Sequence, residues 1–268
     1  MEAARWRAAT PWPRWPRSTS RTRRRSTRSR GPGLLYFGAG TSGRLGALDA
    51  AECPPTFGVP ADRIVARIAG GERALVAAVE GAEDDRAAAV RDVDELGVDA
   101  PDLVVGITAG GTTPYVHAAL ARARERGATT IFLACVGADE VPDDAELSVR
   151  LVTGAELVAG STRLKAGTAT KLALNRLSTT ALARLGHVAG GRMVDVATRA
   201  NAKLWARAVD TLVAECALAP AAAEALLEAA GGGLKLAWAA AHLGVEPPEA
   251  ARRLELVAGD LDALLAAD

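Results

Sequence analysis

Short apolar runs alternate with alanine-rich segments along most of the chain, and this alternation predicts its secondary structure. The apolar, partly β-branched runs predict buried strands at residues 34–37, 63–68, 103–108, 129–136 and 147–152. The alanine-rich segments predict helices around residues 47–51, at residues 72–80, 84–96, 114–126 and 168–185, and from residue 200 onward. Strands that alternate with helices predict an α/β fold, in which helices cover both faces of a central, mainly parallel sheet. The last stretch predicts a small C-terminal helical region.

The segment 36–59, YFGAGTSGRLGALDAAECPPTFGV, carries the strongest functional signal of the chain. A strand runs into a glycine- and hydroxyl-rich loop, in which Thr41, Ser42 and Gly43 can bind an anion at the start of the following helix. Glu52 stands directly before the sequence Cys-Pro-Pro, so we expect the helix to end near this carboxylate. The segment therefore predicts a phosphate-binding turn with a candidate acid or base in the same unit.

The glycine spacing at residues 38–43 also fits a dinucleotide fingerprint, which alone is a weak signal. That fingerprint expects a carboxylate at the end of the second strand to bind ribose hydroxyls. This chain has Ala-Gly-Gly at residues 69–71 instead, with Glu72 nearby. The hydroxyl groups of the loop suit the phosphate of a monoester. We therefore favour a sugar phosphate over a nicotinamide cofactor, and a tight turn without any ligand is the alternative.

Two further hydroxyl-rich loops precede predicted helices. One follows the third strand and contains Thr112 and Thr113, and the other, GSTRLKAGT, contains Ser161, Thr162 and Lys165. In the second loop the two hydroxyl groups can cap the helix, while its free N–H groups and the lysine attract an anion. A simple N-cap explains that loop on its own, but three such loops together predict a shared phosphate site.

Acidic residues and histidines supply few other candidates. Glu83 follows a glycine break in a helical stretch, and a solvated surface charge is the alternative to a catalytic role for both Glu83 and Glu52. His117, His187 and His242 are isolated in the sequence, and no cluster has the spacing of metal ligands. We therefore expect no metal site.

Composition and charge limit the setting of the protein. The chain contains no run of about 18 apolar residues, so no membrane span is predicted. Its three widely spaced cysteines fit a reducing compartment, and we therefore expect a cytoplasmic protein. Residues 1–30 contain ten arginines and one acidic residue, whereas the remainder contains 22 basic and 31 acidic residues. We interpret residues 1–33 as a basic, disordered arm rather than a nucleic-acid-binding tail. Out-of-frame translation of an upstream region is another explanation, because the unusual composition ends abruptly at Leu34.

Four blocks of sequence resemble the N-acetylmuramic acid 6-phosphate etherases, which are sugar-isomerase (SIS) domain enzymes of peptidoglycan recycling. The blocks are GAGTSGRLGALDAAECPPTFG (38–58), IAGGERALVAAVEGAEDD (68–85), GSTRLKAGTATKLALNRLS (160–178) and MVDVATRANAKLWARA (193–208). The resemblance implies a SIS-type three-layer sandwich over residues 34–195, a C-terminal helical region over residues 196–268, and a homodimer. The wider family includes the glucokinase regulatory protein, which binds sugar phosphate without turning it over.

The resemblance implies a lyase that needs neither a metal nor a redox cofactor and that cleaves the lactyl ether of its sugar phosphate. Glu83 maps onto the base that removes the C2 proton. Glu52 maps onto the acid that protonates the departing D-lactate and then activates water. The residues expected to bind the substrate phosphate are Thr41, Ser42, Gly43, Thr112, Thr113, Ser161, Thr162 and Lys165.

The loop after the third strand departs from the family, which commonly reads ASGRTPY where this chain reads AGGTTPY. Gly110 thus replaces a serine, and Thr112 replaces an arginine. The loss of one neutral hydrogen bond to phosphate costs about 1 kcal/mol, and the loss of a charged donor about 1.5–3 kcal/mol. Two other functions stay open at this point. One is a non-catalytic sugar-phosphate regulator and the other is an aldose–ketose sugar-phosphate isomerase, neither of which needs a leaving-group acid.

Overall fold

The computed structural model describes residues 31–267 of the chain. Most of the basic arm predicted for residues 1–33 therefore lies outside the described residues. Gly33, at the end of that arm, is buried, and its backbone N–H donates to the carboxylate of Asp102 at 2.9 Å. From this point the chain enters the central sheet.

Within the described residues, five strands form one parallel sheet in the order β2-β1-β3-β4-β5. The strands are β1 (Leu34–Gly38), β2 (Ile64–Ile68), β3 (Leu103–Ile107), β4 (Thr129–Ala134) and β5 (Leu147–Arg150). In β1, β3 and β4 every residue after the first is buried. Continuous burial of apolar strands is typical of a parallel sheet that is covered on both faces.

Helices cover the two faces of the sheet. They are α1 (Gly40–Phe57), α2 (Arg73–Val76), α3 (Arg86–Glu95), α4 (Pro114–Glu125) and α5 (Lys165–Arg184). On one face Tyr36 of β1 packs in a cluster with residues of α1 and α5, such as Leu174. On the other face Phe37, the next residue of β1, packs in a cluster with residues of α3 and α4, such as Val93. The predicted α/β fold with a parallel sheet between two helical layers is confirmed.

The C-terminal part of the chain is helical, as predicted. A short antiparallel hairpin, β6 (Val188–Ala189) and β7 (Arg192–Met193), leads into this region. Its helices are α6 (Ala202–Cys216), α7 (Pro220–Ala229), α8 (Leu234–Leu243), α9 (Pro247–Leu256) and α10 (Leu261–Leu265). They bury a separate core, whose largest members include Leu212, Leu227, Leu234, Trp238 and Leu261.

The prediction of a helix at residues 72–80 is wrong after Val76, where α2 ends. The guanidinium of Arg44, on α1, donates to the backbone carbonyls of Leu75 and Ala77, each at 3.0 Å. These carbonyls are therefore drawn toward α1 rather than into a continuing helix. The chain after Val76 is irregular until a 3₁₀ turn at Ala82–Asp84.

The prediction that the first helix ends near Glu52 is also wrong. α1 continues through Pro54 and Pro55, which lack the N–H groups that would bond to the carbonyls one turn earlier. The last turn persists because Gly58 adopts the left-handed conformation and its N–H donates to the Pro54 carbonyl at 2.9 Å. Glu52 consequently projects from the body of a helix rather than from its end.

Candidate functional site

The loops that follow β1 and β3 lie side by side at the carboxyl edge of the sheet. The two strands are adjacent and parallel, and Gly38 pairs with Ile107 at their ends. After β1 the chain crosses to β2 on one side of this pair, and after β3 it crosses to β4 on the other side. Open α/β sheets bind ligands where the strand order reverses in this way. The candidate site therefore comprises the loops at residues 39–43 and 108–113.

The first turn of α1 is open to an anion. Its N-cap residue Ala39 supplies no side-chain cap, and the turn contains no acidic residue. The backbone N–H groups just before Gly43 belong to the start of the helix, where N–H groups have no partner within the helix. They can therefore bind a ligand. Thr41 and Ser42 are half-buried, and neither hydroxyl group has a hydrogen-bond partner among residues 31–267. A Cβ at Gly43 would lie 2.7 Å from the Gly38 carbonyl oxygen, so the close turn requires glycine.

Hydrogen bonds within the β3 loop fix its shape. The hydroxyl oxygens of Thr108 and Thr113 lie 2.9 Å apart, and that of Thr108 accepts from the Gly111 N–H at 3.2 Å. His117 Nε2 donates to the Gly111 carbonyl at 2.6 Å. The hydroxyl of Thr113 is therefore engaged in the loop, whereas Thr112 is exposed. No sequence pattern predicted a role for His117, because its contact with the Gly111 carbonyl depends on how the chain turns between residues 111 and 117.

A carboxylate from the same chain occupies the start of α5. Glu156 accepts hydrogen bonds from the backbone N–H groups of Ala166 and Lys165, both at 2.9 Å, and these bonds hold the pKa of Glu156 below its ordinary value. The Lys165 ammonium donates to the Thr153 carbonyl at 2.8 Å. The start of this helix is thus already neutralised by an internal anion.

The sequence predicted that Ser161 and Thr162 cap a helix at residues 168–185, and this is wrong. The helix α5 begins earlier, at Lys165, and its N-cap residue makes no side-chain hydrogen bond. The preceding turn nevertheless reaches the first loop. A Cβ at Gly167 would lie 3.4 Å from Cγ2 of Thr41 and 3.5 Å from the Thr162 carbonyl oxygen. In the described part of the chain the side-chain hydroxyls of Ser161 and Thr162 have no hydrogen-bond partner, so both remain available to a ligand.

The two candidate catalytic carboxylates lie in different places. Glu52 lies on α1, 11 residues after Thr41, which is about 16 Å along the helix axis. Glu83 lies in the 3₁₀ turn at Ala82–Asp84, beyond the end of β2. Both side chains are exposed, and neither makes a hydrogen bond or ion pair with the described residues. The structure brings Glu83, but not Glu52, to the edge of the sheet where the loops converge.

A buried polar network joins α1 to its neighbours. Asp49 accepts from the Tyr36 hydroxyl at 2.8 Å and from the Ser178 hydroxyl at 3.0 Å. Burial raises the pKa of Asp49, and the two hydroxyl groups oppose part of that rise. Burial likewise raises the pKa of the Cys53 thiol to about 11. Cys53 therefore stays protonated at neutral pH and packs in the core rather than acting as a nucleophile.

Neither a cluster of metal-ligating side chains nor a helix suited to cross a membrane occurs in residues 31–267. Those residues contain no group of three or more His, Cys, Asp or Glu side chains that could hold a metal ion. Within the same range, no helix combines the length and the hydropathy that a membrane span needs. The three cysteines at positions 53, 135 and 216 are free thiols.

The fold and the loops at the strand-order reversal define a SIS-domain protein. The family model of the glucokinase regulatory protein N-terminal SIS domain matches residues 20–124. The N-acetylmuramic acid 6-phosphate etherase of Nostoc punctiforme is 54% identical over 226 residues, which cover 82% of this chain and 71% of that protein. The etherases of Gloeobacter violaceus and Mycolicibacterium smegmatis are 51% and 48% identical, covering 87% of this chain and 76% and 78% of those proteins. The chain belongs to the N-acetylmuramic acid 6-phosphate etherase family, as the sequence blocks predicted.

Proposed function

We propose that this protein cleaves the D-lactyl ether of N-acetylmuramic acid 6-phosphate to give N-acetylglucosamine 6-phosphate and D-lactate. Membership of the etherase family supports this reaction. The structural observation that carries it is the pair of helix starts, α1 and α4, that open onto adjacent loops at the strand-order reversal. Neither start has a side-chain cap or an acidic residue in its first turn, so both favour a phosphate.

We place the phosphate at α1 and α4 rather than at α5, because Glu156 already occupies the N–H groups at the start of α5. In this arrangement the hydroxyl groups of Thr41, Ser42 and Thr112 are the side-chain donors to the phosphate. Ser161 and Thr162 form the wall beside Thr41. Lys165 contributes its positive charge from farther away, since its ammonium is bound to a backbone carbonyl.

Two carboxyl groups fit a reaction that eliminates an alcohol and then adds water. In the open-chain sugar the C1 aldehyde acidifies the C2 proton, and the Glu83 carboxylate removes it. The Glu52 carboxyl group donates its proton to the ether oxygen as the C3–O bond breaks, so that D-lactate leaves and an unsaturated aldehyde remains. Glu52 then takes a proton from the water that adds at C3, and Glu83 returns its proton to C2. The net reaction consumes one water and restores both carboxyl groups.

We also infer that the protein works in the cytoplasm as a homodimer. Free thiols are typical of proteins in a reducing compartment. Large apolar side chains are exposed on α1 and α5, where Leu48 and Leu172 lie, and they supply surface for a second copy of the chain.

Release of D-lactate tests the proposed reaction. The purified protein is incubated with N-acetylmuramic acid 6-phosphate, and D-lactate is assayed with a stereospecific dehydrogenase. A non-catalytic regulator would bind the sugar phosphate without releasing lactate, and an isomerase would form a ketose phosphate from its aldose without releasing lactate. A protein that binds the substrate and yields no D-lactate would contradict the proposal.

A further inference from the structure

A cavity of about 210 Å³ lies along one side of α4, and we call it the arginine cavity. Its walls are Arg86 at the start of α3, the side of α4 that presents His117 and Arg124, and the segment 143–145 that precedes β5. The phosphate-binding loops after β1 and β3 do not line it. Pockets for drug-sized ligands measure about 300–1,000 Å³, so this smaller cavity suits a small ion better than a whole sugar phosphate.

The two arginines bring positive charge that no carboxylate neutralises. The Arg86 guanidinium makes no hydrogen bond or ion pair with the described residues. The neighbouring carboxylate of Asp85 is instead paired with Arg91 at 3.7 Å. The Arg124 guanidinium donates to the backbone carbonyl of Asp144, which carries no net charge. Both guanidinium groups are therefore free to balance the charge of an anion.

The acidic residues on the opposite wall do not cancel this charge. Asp143 accepts from the guanidinium of Arg150 at 2.5 Å and from the Ser148 hydroxyl at 2.7 Å, so its charge is already balanced. The exposed carboxylate of Asp144 has no hydrogen bond or ion pair among residues 31–267. The arginine cavity thus holds two uncompensated arginines against one uncompensated carboxylate, and its net charge is positive.

His117 separates the arginine cavity from the β3 loop. Its Nε2 donates to the Gly111 carbonyl at 2.6 Å, and its ring lies 5.3 Å from the ring of Phe132, measured between centroids. Its other nitrogen, Nδ1, has no hydrogen-bond partner in the described part of the chain. A protonated imidazole donates from both nitrogens, so Nδ1 can supply a third donor to an anion while Nε2 holds the loop.

We propose that the arginine cavity binds a small oxyanion, of the class of phosphate or a short-chain carboxylate, at a site separate from the one for the substrate phosphate. Guanidinium groups match the geometry of both kinds of oxyanion because their N–H groups form a planar fork. Leu120, which is 7% exposed, and Ala145 add an apolar wall that can cover the methyl group of a carboxylate such as D-lactate. The inference goes beyond the etherase reaction and does not depend on it.

Anion titrations with the substrate site filled test the proposal. The protein is saturated with N-acetylglucosamine 6-phosphate, and inorganic phosphate or sodium D-lactate is then titrated in separate calorimetric experiments. Sodium chloride keeps the ionic strength constant, so that general screening does not change between injections. We expect one anion to bind per chain with a Kd of about 1 mM or lower. The tighter of the two anions identifies whether the site takes a tetrahedral oxyanion or a carboxylate.

Arg86→Gln and Arg124→Gln remove one guanidinium each while they keep a long polar side chain. Each substitution should weaken anion binding about tenfold or more, because a hydrogen bond to a charged donor is lost. Both residues are exposed, so we expect both variants to fold, which circular dichroism checks. Arg91→Gln is the matched control, since it removes a positive charge from the same helix as Arg86 but outside the cavity, and it should leave anion affinity unchanged.

The affinity for N-acetylglucosamine 6-phosphate should be the same in all three variants and in the wild-type protein. Four results would overturn the proposal: no binding of either anion to the saturated protein, wild-type anion affinity in both cavity variants, an equal loss in Arg91→Gln, and a parallel loss of sugar-phosphate affinity in the cavity variants. The last result would make the cavity part of the substrate site. Failure to release D-lactate from the substrate would instead contradict the proposed reaction and leave these anion titrations unaffected.

Discussion

Gly110 and Gly111 sit side by side in the β3 loop but differ in what they tolerate. A Cβ at Gly110 would meet no atom within 4 Å. Gly111 has a φ of +82°, and a Cβ there would lie 3.0 Å from the Val141 side chain and 3.1 Å from that of Val136. Gly110 is therefore open to a side chain, whereas Gly111 is not.

We expect Gly110→Ser to strengthen sugar-phosphate binding by restoring the hydroxyl group that this loop commonly has in the family. One added neutral hydrogen bond corresponds to about 1 kcal/mol, or about a fivefold lower Kd. Isothermal titration with N-acetylglucosamine 6-phosphate measures the change. Gly111→Ser is the matched control and should instead lower the thermal unfolding temperature, because it forces a serine into a left-handed, crowded position. Unchanged affinity in Gly110→Ser would place the phosphate away from this loop.

Glu156 stabilises the start of α5 through its charge. Its pKa is lowered by the N–H groups of Ala166 and Lys165, so its contribution to stability is present above the ordinary value of 4.5 and is lost as the pH falls below it. Glu156→Gln should therefore lower the unfolding temperature at pH 7 and lower it much less at acidic pH. Calorimetry over this pH range measures the difference. The exposed residue Glu146, whose side chain has no hydrogen bond within residues 31–267, supplies the control variant Glu146→Gln, which breaks no such bond and should leave the unfolding temperature at pH 7 unchanged.

Among the elements, the hairpin β6–β7 is tied to the C-terminal helices by Asp195. Its carboxylate accepts from His187 Nδ1 at 2.8 Å and from Lys235 Nζ, on α8, at 2.6 Å. Burial raises the pKa of Asp195, but these two donors outweigh burial and hold it below the ordinary value of 3.8. The ion pair thus fixes the entry of the chain into the C-terminal helices.

Asp195→Asn should reduce the free energy of unfolding at pH 7 by about 1–3 kcal/mol, because it weakens bonds to two partly buried donors. The folded-state pKa is lowered, so the stabilisation is complete above 3.8 and disappears as the pH falls through the folded value. Urea unfolding at neutral and acidic pH measures both effects. Arg192→Gln breaks the more exposed pair with Glu215 and should cost only about 0–1 kcal/mol. Equal losses in the two variants would contradict this account of the hairpin.

The elements that depend on local pattern were predictable from the sequence. The apolar run at 34–37 and the loop with Thr41 and Ser42 follow from nearest neighbours along the chain, and both lie where predicted. The end of helix α2 and the cap of α5 were not predictable. Each depends on one long side chain, Arg44 or Glu156, that binds backbone groups many residues away. No local pattern signals such contacts.

For the whole molecule, the sequence predicts which carboxyl groups matter but not where they lie. Thr41 and Glu52 share one continuous block, which makes them look like parts of one site. A crossover helix, however, must run back along the full length of the strands before the next parallel strand begins. The distance between Glu52 and Glu83 follows from that topology, and it becomes evident only when the strand order and both helical layers are known.

Leu48→Glu should abolish dimer formation and D-lactate release together, while the free chain stays folded. The substitution places a charge in the apolar surface next to Glu52, where the second copy is expected. Sedimentation velocity measures the dimer, and circular dichroism measures the fold. Leu256→Glu is the matched control, since Leu256 is 83% exposed on α9, and it should leave both assembly and activity unchanged. A fully active Leu48→Glu monomer would contradict the inference that the protein works as a homodimer.

Exchange of the substrate C2 proton with solvent tests the division of labour between the two carboxyl groups most directly. Each variant is incubated in D₂O with N-acetylmuramic acid 6-phosphate, deuterium at C2 is followed by NMR, and D-lactate is assayed in parallel. We expect that Glu52→Ala still exchanges the C2 proton but releases no lactate, whereas Glu83→Ala does neither. Exchange at the wild-type rate in Glu83→Ala would contradict it.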